Sequence, residues 1–431
     1  MRLRYWSGLL VALCCVASVA RADAEPKAAS PDNPYAFLQQ SQLSSVKQQL
    51  QQKTEKPQTR MAYEQLISEA DRALKIDNPS VTEKKSTPPS GSKHDYLSLS
   101  AYWWPDPDKA DGLPWIRRDG QVNPASKDEE TDGVRLAKFT AQTQALTLAW
   151  YFSGKQAYAD KAMSMIRTWF IDPATRMNPN LDFAQGVPGI APGRGSGVLD
   201  GRYFSTRIVD SLIMLRHAPG WTAQDEQQMQ TWMSDYLHWL QTSKLGKKEA
   251  TAQNNHGSWY TVQVAGIAWY LGKIDVVKSM AQLQREKLDH QLQPDGAQPE
   301  ELARTRSFHY SYFNLQAITD MAMLASRVGE NIWQYHTPKG SSVIKALDFM
   351  APYLDENKAW PRKTMDRQSS RLIPLLLQAD RGLKTPRYQT QIRQAGFAEL
   401  LTGEAGARDK EPSHISVETR RALWLLNPAT P

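Results

Sequence analysis

Apolar residues recur at helical spacing along most of the chain. In "GKQAYADKAMSMIRTWF", Tyr158, Ala162, Met165, Ile166 and Trp169 fall on an i, i+4, i+7, i+8, i+11 stripe, the pattern of a helix packed on one side. Gly154 separates this stretch from "VRLAKFTAQTQALTLAWYF", so the two predict an antiparallel helical hairpin. Thr222 and Asp225 read as a capping box before a helix that turns Met229, Trp232, Met233, Tyr236 and Leu240 inward. Val276, Met280 and Leu283 begin another inward stripe, and further helices are predicted around 36–52, 61–75, 203–216, 257–271, 306–328, 342–353 and 388–401.

Alternating strand patterns and βαβ spacing are missing, so the fold class is mostly α. Two Pro-, Gly- and aromatic-rich stretches interrupt the helices. They are 77–133, with "YLSLSAYWWPDPDKADGLPWIRRDGQVNP", and 171–202, with "NPNLDFAQGVPGIAPGRGSGVLDGR". Irregular segments of this length inside a helical domain commonly carry function. No low-complexity linker or charge run divides the rest, which predicts one large helical domain over 23–431 with a less regular tail after 402.

Composition changes this picture at the N-terminus. Arg2 and Arg4, the apolar run "GLLVALCCVASVA" and the small-x-small pattern Ala20-Arg21-Ala22 read as an export signal over 1–22, which predicts a periplasmic or secreted protein. The run is too short for a permanent anchor, and no later segment approaches the roughly 20 apolar residues that spanning requires. Cys14 and Cys15 both lie in the signal, leaving none for disulfides or zinc–thiolate sites. His256, His290 and His309 lack ligand-like spacing, so no histidine-based metal site is expected, with a calcium site of Asp and backbone oxygens left open. The formal charge of +7 becomes +4 without Arg2, Arg4 and Arg21, a mild excess suited to an acidic ligand. No basic cluster or nucleic-acid motif accompanies it, so nucleic acid is not an expected partner. Fourteen Trp, several in loop-like sequence, offer flat surfaces for sugar rings.

Two stretches hold candidate chemistry. In "AQNNHGSWY", 252–260, Asn254 or Asn255 can cap the helix carrying Trp259, Val262, Gly266 and Trp269. A helix N-terminus is also a place to hold an anion, so one Asn can cap while the other faces a ligand beside His256. In "PEELARTRSFHYSYFNLQA", 299–317, Phe308, Tyr312, Leu315, Ile318 and Ala322 form the inward stripe, while Arg306 and Tyr310 share another face. That second pair reads either as an arginine laid over a surface ring or as part of a site.

Amide, imidazole, guanidinium and phenol together suit β-elimination on a uronic acid polysaccharide. The C5 proton is acidic only because it lies α to a carboxylate, so that carboxylate must be neutralised and the enolate-like intermediate stabilised, work for Asn, His and Arg. Tyr can move the protons. A free phenol is only about one part in a thousand ionised at neutral pH, a handicap of roughly 4 kcal/mol for a phenolate base. An adjacent cation can lower such a pKa by about 1–3 units and is expected to remove much of it. Where the proton and the leaving oxygen lie on opposite faces of the sugar, His256 is the natural base. Two other readings compete. A glycoside hydrolase would draw two carboxylates from Asp106, Asp108, Asp295, Glu300 and Glu301, and a non-catalytic polyuronate-binding protein would use the same groups without turnover.

The ordered set "YWWPDP…GLPWIRRDGQVNP", "GRGSG", "NNH" and "ELARTRSFHY" resembles the alginate lyase-like polysaccharide lyases from about residue 35 to beyond 350. The resemblance implies an incomplete (α/α) toroid with a sugar-binding groove, working without a cofactor on an anionic polysaccharide. Alginate in its polymannuronate form is the first expected substrate and glucuronan the second. The resemblance also makes Asn255 and His256 the carboxylate-neutralising pair and Tyr310 the catalytic tyrosine. Better-known members carry arginines seven and four positions ahead of that tyrosine; here Arg304 and Arg306 lie six and four ahead. Arg304 is therefore the favoured catalytic arginine and Arg306 the second choice. Tyr102, Trp103 and Trp104 are expected to stack on sugars. Arg117, Arg118 and Arg194 are expected to pair with successive carboxylates, with Asn254 and Arg306 completing the substrate-binding set.

Overall fold

The computed structural model describes residues 33–397 and 415–426. The expected export signal, the end of the helix expected over 388–401, and 403–414 and 427–431 of the expected irregular tail lie outside the described residues. The described part of the tail is helical, α15 (Val417–Arg421) running into a π turn, Ala422–Leu426.

Helices follow one another as the periodicity predicts. They are α1 (Gln40–Gln52), α2 (Pro57–Ala73), α3 (Gly133–Ser153), α4 (Gln156–Ile166), α5 (Asp210–Leu215, after a π turn Phe204–Val209), α6 (Ala223–Thr242), α7 (Lys244–Ala250), α8 (Asn255–Tyr270), α9 (Ile274–Gln291), α10 (Pro299–Leu302), α11 (Ser307–Arg327), α12 (Val343–Met350), α13 (Leu372–Leu383) and α14 (Gln389–Ile392). Gly154 ends α3 at φ 72°, a left-handed turn open to glycine, and α4 folds back along α3. The Thr222–Asp225 capping box opens α6, whose five predicted apolar positions are all buried.

Packing turns these hairpins into an arc. α3 contacts α5, the turn before α5 contacts α8, α8 contacts α11 and α11 contacts α13, while α4 packs on α3, α9 on α8 and α11, and α12 on α11 and α13. This is the (α/α) toroid expected from the sequence. α8 is buried on almost every side, as a helix apolar all round must be. Its few polar side chains are matched across interfaces, Thr261 with Gln284 at 2.9 Å and Ser258 with Gln291 at 3.1 Å. The N-terminal segment crosses the same helices: Asp210 on α5 accepts the backbone N–H groups of Ala36, Phe37 and Leu38, and Trp269 of α8 donates to Pro34 O. Among the described residues no helix is long and apolar enough to cross a membrane.

The structure differs from the sequence reading at several elements: α7 was not expected, and within the described part of 388–401 the α-helix is limited to Gln389–Ile392, before a turn with Gly396 at φ 86°. α1 starts at Gln40 rather than 36, because residues 36–38 give their N–H groups to Asp210 instead of a helix. On α9 the core face is Val277, Ala281, Gln284 and Leu288, one step round from Val276, Met280 and Leu283, which stay half-buried. α13 was not predicted; Pro374 sits in its first turn, where a missing N–H costs nothing, so "LIPLLLQADRGL" continues as a helix.

The two long interruptions form one layer. β1 (Leu97–Leu99) pairs in parallel with β4 (Phe183–Gly186), and β2 (Trp103–Trp104) pairs antiparallel with β3 (Ile116–Arg117). A fully buried ion pair, Lys84 Nζ to Asp132 Oδ2 at 2.9 Å, ties the layer to the start of α3, and Asp132 also accepts Leu97 N–H at 3.0 Å. In "GRGSG", a side chain at Gly193 or Gly197 would collide with the carbonyl oxygens of Asp182 and Ala184. Those glycines let the turn lie flat on β4.

Candidate active site

The start of α8 is joined to α10 through Glu301, which accepts from Asn255, and the loop layer reaches the segment between α10 and α11 through Asp119 and Arg304. Asn254 is the cap of α8, its Oδ1 accepting His256 N–H at 3.1 Å. Gly257 then allows the first turn to press against Ala252 O and the Lys287 ammonium, positions a Cβ would occupy. The imidazole of His256 is partly exposed, and its Nδ1 lies 2.6 Å from Oε1 of the buried Glu249 on α7. That contact aims the other ring nitrogen away from α7.

Asn255 occupies a different position from the one expected. It is 0% exposed, with its backbone N–H and Nδ2 directed to the two oxygens of Glu301 at 2.6 and 2.9 Å. Its Oδ1 has no protein partner. In this conformation Asn255 ties the first turn of α8 to Glu301 and presents no surface of its own. Burial pushes the Glu301 carboxyl up to about 7, against an ordinary value of 4.5. As pH rises between those values the unfolded chain sheds this proton first, so the group progressively costs folding stability across that window. Glu301→Gln keeps an acceptor for Asn255 N–H and adds a donor for the unpartnered amide oxygen. Its stability relative to the wild type is expected to rise from pH 4.5 to 7, by on the order of 1–3 kcal/mol, in denaturant titrations at a series of pH values. A constant difference over that range would refute the assignment.

The second half of the site is built around residues 304–310. Asp119, from the turn after β3, accepts Arg304 Nε at 3.1 Å and Nη2 at 2.7 Å, and it also takes the backbone N–H and hydroxyl of Thr305. These donors hold the Asp119 carboxyl well below its usual range. Arg304 is thereby laid over the Tyr310 ring, its guanidinium carbon 3.8 Å from the ring centre. Arg306 turns the other way. It is chelated by Asp366 and reaches Tyr102 Oη only at 3.4 Å. The expected pairing of Arg306 with Tyr310 on one helix face is thus corrected, because Arg306 precedes the first turn of α11. Arg304 is the arginine that accompanies the tyrosine.

Tyr310 Oη lies 2.8 Å from Tyr102 Oη. Tyr102, expected as a stacking surface, instead presents its hydroxyl to the centre of the site. Burial, and next the neighbouring Tyr102, push the Tyr310 phenol above its ordinary value, and Arg304 offsets only part of this. The adjacent cation does ease ionisation, as expected, but burial and Tyr102 outweigh it, so the resting Tyr310 is a neutral phenol.

The outer arginines and indoles combine with each other. Arg194 lies over Trp103 at 5.4 Å and donates to Ser100 Oγ at 3.2 Å; Arg118 lies over Trp104 at 5.6 Å. Arg117 pairs with Asp119 at 3.0 Å and remains largely exposed. The stacking faces expected for sugars are thus partly covered by cations from the same layer, giving a rim of positive charge beside the phenols. Asp119, Glu249 and Asp366 were missed in the sequence. Each is an ordinary acidic residue in a loop or short helix, and only the fold reveals which arginine or imidazole it faces.

A family model described as alginate lyase matches residues 80–360, which include His256, Arg304 and Tyr310. The chain belongs to the alginate lyase family. The crystal structure of an alginate lyase from Bacteroides ovatus matches at 35% identity and TM-score 0.79, over 84% of this chain and 95% of that one. Alginate lyase A1-III from Sphingomonas species A1 matches at 16% identity and TM-score 0.54, over 92% of this chain and 96% of that one, a likeness of fold. A His-to-Ala variant of A1-III in complex with a tetrasaccharide matches at 15% identity and TM-score 0.55, over 91% and 96%. No curated protein matches the sequence. As an alginate lyase family member the chain is a polysaccharide lyase, and the glycosidase and non-catalytic readings fall away. The geometry agrees with this. Of the five carboxylates a hydrolase would draw on, Glu301 is buried against Asn255, while Asp295 and Asp106 accept backbone N–H groups of their own exposed turns.

Proposed function

We propose that this lyase is an exported enzyme that cleaves alginate by β-elimination, with His256, Arg304 and Tyr310 as the groups that meet the reacting sugar. The observation carrying this reading is a glutamate-held imidazole at the start of α8, joined through Asn255 and Glu301 to the segment that carries an aspartate-held guanidinium and a neutral phenol. The printed name of the similar Bacteroides ovatus enzyme and the tetrasaccharide bound to the A1-III variant support the choice of substrate.

In this reading His256 and Arg304 face the uronate carboxylate, lowering the cost of removing the C5 proton. The C5–H electron pair becomes the C4–C5 double bond as the C4–O bond breaks, and the departing oxygen takes the Tyr310 proton. A neutral phenol is ready for that acid role without prior ionisation. For linkages with the proton and oxygen on opposite faces, as in guluronate, His256 takes the C5 proton. For linkages with both on one face, as in mannuronate and glucuronate, Tyr310 must first give its own proton to solvent, then take the C5 proton as a phenolate and deliver it to the departing oxygen. The export reading rests on the residues of 1–22 alone.

Purified protein incubated with polymannuronate, polyguluronate and glucuronan is expected to generate near-ultraviolet absorbance from 4,5-unsaturated ends on alginate blocks, and less on glucuronan. New reducing ends without that absorbance would exclude elimination, and turnover of glucuronan alone would move the substrate away from alginate.

A further inference from the structure

Resting on the lyase reading above, we infer that Glu249 is a positioning residue for catalysis: it fixes the tautomer of His256 so that the groove-facing nitrogen is a proton acceptor, and it stabilises the imidazolium once that proton arrives.

The geometry is specific. Glu249 sits at the end of α7 with its side chain 4% exposed, and its Oε1 is 2.6 Å from His256 Nδ1. A carboxylate beside a ring nitrogen accepts a proton from it, so Nδ1 carries hydrogen and Nε2 keeps its lone pair. A carboxylate buried this deeply is costly unless a partner offsets it. The cations around it are committed elsewhere. Lys287 on α9 donates to Ala250 O and Ala252 O at 2.5 and 3.1 Å, holding the α7–α8 turn. Arg194 donates to Ser100 and covers Trp103. Glu301, the other acid near His256, is occupied by Asn255. His256 is therefore the group that Glu249 serves, and the short α7 helix, turned back by Ser243 and followed closely by Asn254, places the two side by side.

The chemical logic is that of any carboxylate–imidazole pair. When His256 accepts the C5 proton, positive charge appears on the ring, and an aligned buried carboxylate lowers the cost of that charge. A glutamine at 249 keeps the size but loses the charge, and its amide can donate to Nδ1 and so favour the opposite tautomer.

Glu249→Gln is expected to reduce kcat on polyguluronate, where His256 is the base, about a hundredfold. KM should stay within about threefold, and the loss on polymannuronate should be smaller. Glu249→Asp keeps the charge and should recover at least about tenfold of the loss. Nitrogen-15 NMR of the imidazoles supplies a readout that packing alone does not move: wild-type His256 is expected in the Nδ1–H form at neutral pH and the Gln variant in the Nε2–H form. A folded Gln variant with unchanged kcat on polyguluronate overturns the proposal. So does a wild-type His256 in the Nε2–H form, a measurement that needs neither variant to fold. The NMR result also stands apart from the lyase reading, since it requires no substrate, whereas absence of unsaturated product from the wild type would remove that reading alone.

Discussion

Tyr310→Phe is expected to lower kcat on every alginate block by about 10³-fold or more while binding of an alginate oligosaccharide is retained. In the proposed mechanism the phenol protonates the departing oxygen, and removing a general acid from a poor leaving group typically costs 10²–10⁴-fold. The rest of the ring should stay where it is, because Arg304 covers its face and its backbone N–H is bonded to Arg306 O in the first turn of α11. The hydroxyl's structural partners are Tyr102, itself part of the loop layer, and Arg304, which Asp119 holds independently, so the variant should lose only about 1–2 kcal/mol of stability. Isothermal titration with an alginate tetrasaccharide, alongside absorbance assays, separates the two effects. A variant that keeps a tenth of wild-type kcat would show that another group donates the proton, with Tyr102 the nearest alternative.

His256→Ala is expected to lower kcat/KM by about 10²–10³-fold, through lost carboxylate recognition on all substrates and lost proton abstraction where the faces are opposed. It should also destabilise the fold. Glu249 would remain buried without the group it serves, and an unsatisfied buried polar group costs about 1–3 kcal/mol. Asn254 would still cap α8 through the backbone at 256, so the loss should not include unwinding of the helix start. Urea unfolding of the wild type, His256→Ala and the double variant His256→Ala/Glu249→Ala tests the origin of the effect. Removing the stranded carboxylate is expected to restore part of the stability and none of the activity. If the double variant is less stable than the single one, the penalty comes from lost packing instead.

Much of the fold could be read from periodicity because helices that bury one face must space their apolar residues accordingly. The α3–α4 hairpin, the α6 cap and the α11 stripe carry that constraint locally. Segments whose course depends on distant partners escaped: residues 36–38 on Asp210, the face of α9, and α13 with its early proline. At the site, His256, Arg304 and Tyr310 were legible as residue types at suggestive spacing. Asn255 was not legible as a buried support, and neither was Tyr102 as a phenol partner.

The sequence by itself determined the buried stripes of α4, α6 and α11, the α6 cap and which chemical groups the chain possesses, since those depend on residues within a few positions of one another. The tertiary structure decided which groups act together. Asp119 reaches Arg304 across 185 positions and Tyr102 reaches Tyr310 across 208, and a charge or a hydroxyl has no sequence signature for the partner it will meet. Whether the easing of Tyr310 ionisation by a cation prevails is likewise a matter of burial against contact, and burial exists only once the chain has closed around the ring.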